Sequence, residues 1–97
     1  MIIRLFSILD KAVEEFNVPF TSRTVAEAHR SFALHCTQEG NVKAHPRDYE
    51  LYEIGTYDTS KGVVHSDEAH PRRIISAAEV IAAAKEAAPS PLSPPAS

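Results

Sequence analysis

The stretch HPRDYELYEIGTYD (residues 45–58), followed at once by TSKG (residues 59–62), says most about the architecture of this chain. A proline leads into a β-favouring run that holds all three tyrosines of the chain and closes on a glycine turn, so the segment reads as one half of a β-hairpin. The loop DTSKG fits a type I turn with Gly62 in the left-handed conformation, and Val63 to Ser66 returns as the next strand. Within the run, Tyr49 and Leu51 alternate against Tyr52 and Ile54, so both faces carry apolar groups. Gly55 stands where a β-bulge resets the alternation and brings Tyr57 onto the face of Ile54. The segment is a scaffold signature, since it pairs no nucleophile with a base and supplies no metal-ligand spacing or phosphate loop.

MIIRLFSIL at the N-terminus is apolar at odd and even positions alike, which in a strand means burial on both faces. Arg4 interrupts it and it is too short to span a bilayer, so it reads as a central strand and no membrane association is expected. Residues 10–20 read as a long connection with a short turn of helix. Thr24 and Glu27 then have the spacing of a capping box, and Val25, Ala28, Phe32, Ala33 and Cys36 recur at intervals of three and four, a helix that Gly40 is expected to close. Residues 67–73 read as a loop, after which Ser76 caps a second helix reaching about Ala87, with Ile75, Val80 and Ile81 as a thin apolar stripe. The final APSPLSPPAS (residues 88–97) carries no charge and four prolines, the composition of a disordered tail.

The expected architecture is therefore a single α+β domain over residues 1–87: a small, mainly antiparallel three-stranded sheet in the order β-α-β-β-α, with one helix packed on it and a C-terminal helix. A chain of 97 residues has room for one modest core. One helix covers one sheet face, and the second apolar face needs a cover. The C-terminal helix, a partner copy of the chain, or both are expected to supply it, which makes a homodimer the simplest assembly.

Composition narrows the function classes. A net charge of −3 argues against a broad basic surface for tight non-specific nucleic-acid binding, so any DNA contact must use a local patch. Cys36 is the only cysteine, which rules out an intramolecular disulfide and suits a reducing compartment. Five histidines fall in no recognised ligand spacing with Cys36 or a carboxylate cluster, so neither a metal nor another cofactor is expected. Asp58, Ser60 and His65 form a nominal hydrolytic trio, but turn chemistry explains two of them and no enzymatic activity is expected.

With these elements placed, the chain resembles the small nonstructural protein of the microviruses, single-stranded DNA phages, especially the gokushovirus-like branch. The resemblance rests on the N-terminal strand ending near Asp10 and Lys11, on Pro19 and Phe20 before a helix with Ala28, Arg30 and Phe32, and above all on His45, Pro46, Asp48, Tyr49, Leu51, Tyr52, Ile54, Gly55, Tyr57, Asp58 and Gly62. It covers about two thirds of the chain. It implies a bacteriophage accessory protein that binds single-stranded viral DNA or acts in genome replication and packaging. It also implies residence in the host bacterial cytoplasm and absence from the mature virion. The alanine-rich helix after Ser76 and the proline-rich tail depart from the family's pattern.

Binding single-stranded DNA requires cations along the phosphates and aromatic faces for the bases, each stacked base contributing roughly 1–3 kcal/mol. The candidates are Arg4, Lys43, Arg47, Tyr49, Tyr52, Lys61, Arg72 and Arg73, whose cations are expected to converge on one surface, across a dimer if need be. Against them stand Asp48, Glu50, Glu53 and Asp58 on the same strand, which repel phosphates. The plainer reading makes the tyrosines half-buried sheet residues and the cations solubilising charges. The alternative function is a protein-protein interaction module that acts on a phage replication or assembly protein without touching DNA, the C-terminal helix docking on that partner.

Overall fold

The structure, a computed structural model, describes residues 1–87; the tail expected to be disordered, residues 88–97, lies outside the described residues. In chain order the elements are β1 (Ile2–Asp10), β2 (Glu15–Phe16), β3 (Phe20–Ser22), α1 (Val25–Thr37), a single turn α2 (Asn41–Ala44), a 3-10 turn at Pro46–Asp48, β4 (Tyr49–Asp58), β5 (Val63–His65), β6 (Arg72–Ser76) and α3 (Ala77–Ala87). The class is α+β with an antiparallel sheet, as expected, but the sheet has six strands rather than three.

β1 and β4 form its spine, paired from Ile2 with Asp58 to Asp10 with Tyr49. β2 and β3 share the outer edge of β1, while β5 and β6 share that of β4. The apolar N-terminal run is thus a central strand. The expected bulge is present: Leu5 pairs with Gly55 and Phe6 with Glu53, which leaves Ile54 unpaired. A Cβ on Gly55 would run into the carbonyl oxygen of His65, so glycine here is what allows the chain beyond β5 to lie close over β4.

Three strands correct the sequence reading. Residues 10–20 do not form a turn of helix: the Ala12 N–H donates to Asp10 Oδ1 at 3.0 Å, Glu14 takes a φ of 59°, and the chain doubles back along β1. The Asn17 N–H then donates to the Ile8 carbonyl at 2.8 Å, and Ser7 Oγ donates to the Asn17 carbonyl at 2.7 Å. β6 replaces the end of the expected loop, and Ile75 belongs to it, opposite Leu51, rather than to the second helix.

Local signals explain the helices. At α1 the Glu27 N–H donates to Thr24 Oγ1 at 3.1 Å, while the Glu27 carboxylate reaches the N–H of Arg23, one residue beyond the usual reciprocal partner. α1 ends at Thr37 with Gln38 as its cap, so Gly40 does not close it; with a φ of 150° it begins α2 instead. α3 has a full capping box: the Glu79 N–H donates to Ser76 Oγ at 3.1 Å and the Ser76 N–H to Glu79 Oε2 at 2.9 Å.

Phe6, Ile8, Tyr49 and Leu51 from the sheet meet Ala28, Phe32 and Cys36 of α1 and Ala77 and Val80 of α3 in one buried cluster. Phe6, Phe32 and Leu51 are fully buried, each such side chain contributing roughly 1.5–3 kcal/mol. Both long helices therefore sit on the same face. This overturns the expectation that the C-terminal helix closes the second face, because α3 uses its stripe against α1 and β4. Among the described residues no helix covers the other side of the sheet.

Candidate functional site

Residues directly opposite one another in an antiparallel ladder share a face. The pairs Ile3 with Tyr57, Ser7 with Tyr52 and Leu9 with Glu50 therefore define the face away from the helices, extended by Phe16 opposite Leu9, Val64 opposite Tyr57 and Arg73 opposite Tyr52. Ile3, Leu5, Leu9, Tyr52 and Tyr57 are half-buried, whereas Phe16 and Val64 are 45% and 58% exposed. The rings of Phe16 and Tyr52 meet edge to face, with centroids 5.3 Å apart. The surface is apolar and aromatic, with its charge concentrated at one end. There Glu50 accepts from Arg73 Nε at 3.0 Å and lies 3.7 Å from Lys11 Nζ, while Arg73 also donates to Glu79 at 3.1 Å.

The helix-bearing face carries a second polar group beyond the reach of α1 and α3. Glu53 continues the inward alternation of Tyr49 and Leu51 and is only 3% exposed. Its Oε1 accepts from Arg4 of β1 and Arg72 of β6, both at 2.8 Å, and its Oε2 lies 2.8 Å from His70 Nε2. His70 Nδ1 lies 2.9 Å from Asp67 Oδ1. Burial by itself raises the Glu53 carboxyl, but hydrogen bonds from His70, Arg72 and Arg4 outweigh it and hold the group below its ordinary value.

The eight sequence candidates do not gather on one surface of the chain. Arg4 and Arg72 meet at Glu53, and Arg73 lies on the opposite face, bound to two carboxylates. Lys43 pairs with Glu39 at 2.7 Å, while Arg47 and Lys61 are exposed in turns. Tyr49 is buried in the core cluster, and Tyr52 is the tyrosine candidate on the open face. Sequence reasoning missed Phe16 because β2 was not recognised. It also missed the Glu53, His70 and Asp67 group, although a glutamate at an inward strand position was a legible sign that cations must surround it.

Other features carry little chemistry. Asp58 Oδ1 accepts the N–H groups of Ser60 and Lys61 in the hairpin turn, and Ser60 Oγ accepts from the N-terminal amine. Cys36 is buried on α1, and burial pushes its thiol up to about 11. A shallow hollow of about 580 Å³ beside α1 is lined mainly by Ile8, Val18, Pro19, Phe20 and Val42. Among the described residues no helix is long and apolar enough to cross a membrane.

The described residues thus form a six-stranded sheet with both long helices on one side and an aromatic, helix-free face on the other. A family model described as Phage ORF5 protein matches residues 3–80, a span that takes in β1 from Ile3 on, the other five strands and the start of α3, and the chain belongs to that family. It is a phage protein. No curated protein and no solved structure matches it.

Proposed function

We propose that this phage protein is a non-enzymatic accessory factor in replication or packaging of a single-stranded DNA genome, and that it takes single-stranded DNA on the bare face of its sheet. The observation that carries the reading is the placement of Phe16, Tyr52 and Tyr57 on one helix-free surface. Open sheets with helices behind them recognise single strands by stacking bases on such side chains, at roughly 1–3 kcal/mol per base. Lys11 and Arg73, which meet Glu50 at one end of this face, are the cations nearest the path a strand's phosphates would take. The resemblance to microvirus nonstructural proteins supplies the kind of nucleic acid, and with it the host cytoplasm as the place of action and absence from the mature virion.

A second reading is favoured by one observation: the cations nearest this face are already bound to carboxylates, Arg73 to Glu50 and Glu79 and Lys11 to Glu50. Ile3, Leu5, Leu9 and Val64 then suit a protein partner, either a second copy forming a homodimer or a phage replication or assembly protein. Fluorescence anisotropy with a poly-dT oligonucleotide across a salt series separates the two. Binding that weakens linearly with log salt and is lost in Tyr52→Ala supports the DNA reading. Absence of binding, together with a dimer in sedimentation that Tyr52→Ala dissociates, supports the second and overturns the first.

A further inference from the structure

Both ring nitrogens of His70 face carboxylate oxygens, Nε2 toward Glu53 at 2.8 Å and Nδ1 toward Asp67 at 2.9 Å. A neutral imidazole has one N–H and can donate to only one of them; the imidazolium has two and satisfies both. The arrangement ties the loop between β5 and β6 to the middle of β4. Glu53 is in the middle of β4, Asp67 opens the loop between β5 and β6, and His70 closes that loop just before β6 begins. The loop also relies on Asp67 for its own shape, since the Ala69 N–H donates to Asp67 Oδ1 at 2.8 Å and the His70 N–H to the Asp67 carbonyl at 3.0 Å.

We propose that His70 is a protonation-controlled clasp: as the imidazolium it locks the loop between β5 and β6 onto β4, and loss of one proton releases the loop. The charged groups that face it are Glu53 from β4 and Asp67 from its own loop, with Arg4 of β1 and Arg72 of β6 approaching through their shared contact with Glu53. The two arginines neutralise Glu53 when His70 is uncharged, so deprotonation leaves β4 intact and acts on the loop. The raised His70 basicity follows first from its hydrogen bond to Glu53, opposed by desolvation and reinforced by Asp67. The contribution is full below the ordinary imidazole value and is lost as pH rises through the higher folded-state value. β5 and β6 border the bare sheet face, so the clasp sets how firmly that edge is held.

The test is an NMR titration of the His70 ring, assigned with His70→Gln, together with amide exchange at Ala69 and His70. The expected result is a folded-state midpoint above the ordinary histidine value of 6.5, with amide protection, corrected for intrinsic exchange, falling about tenfold across that midpoint, the size of one lost charge-assisted hydrogen bond. Asp67→Asn, an exposed change, should lower the midpoint while preserving the fold; Glu53→Gln should lower it further if that variant folds. A wild-type midpoint at or below the ordinary value, or loop protection that does not change across the titration, overturns the proposal.

Discussion

The Glu53 carboxylate and the His70 ring meet at 2.8 Å, joining the centre of β4 to the last residue before the start of β6 at Arg72 but for Pro71. Glu53 also receives Arg4 and Arg72, so strands β1, β4 and β6 converge on one buried acid. Removing the acid lets both arginines, already nearly half exposed, rehydrate, and leaves the largely buried His70 ring without its carboxylate partner on β4. Glu53→Gln is expected to destabilise the fold by about 1–3 kcal/mol, read as a lower urea midpoint at neutral pH.

Stability should fall on both sides of an intermediate pH window. Glu53 titrates below its ordinary value of 4.5, so its contribution is complete above 4.5 and vanishes as pH drops through the lowered folded-state value. His70 titrates above 6.5, so its share is complete below 6.5 and fades as pH climbs through the raised value. Urea midpoints measured from acid to mildly alkaline pH should therefore peak between 4.5 and 6.5 where these two groups dominate, and the alkaline decline should be absent in His70→Gln.

Gly55→Ala places a methyl group against the His65 carbonyl, which is backbone and cannot swing aside. A cost of about 1–3 kcal/mol is expected, with chemical-shift changes concentrated in β5 rather than in the helices.

Cys36 is 1% exposed and its thiol is pushed up to about 11, so a disulfide reagent at neutral pH should label the native protein slowly and the urea-unfolded chain at once. Immediate labelling of the native protein would contradict the packing of α1 on the sheet.

Much of the frame was legible because its signals are local. Thr24 with Glu27 and Ser76 with Glu79 mark helix starts within three residues, and Asp58 to Gly62 carries its own turn, in which the Gly62 N–H donates to the Asp58 carbonyl at 2.8 Å. β2 and β3 escaped notice because two and three residues are too few to show alternation, and what holds them is pairing with β1 rather than propensity. β6 was obscured by its two arginines and by the helix cap that ends it. The Glu53 group was illegible as a group: its partners lie 49, 17 and 19 residues away, and only the folded sheet brings them together.

Chemical-shift mapping with a poly-dT oligonucleotide shows whether the helix-free aromatic face takes single-stranded DNA. Shifts are expected to concentrate at Ile3, Leu5, Phe16, Tyr52, Tyr57 and Val64, with α1 and α3 silent. Shifts confined to the helices, or no shifts at oligonucleotide concentrations well above that of the protein, would contradict it.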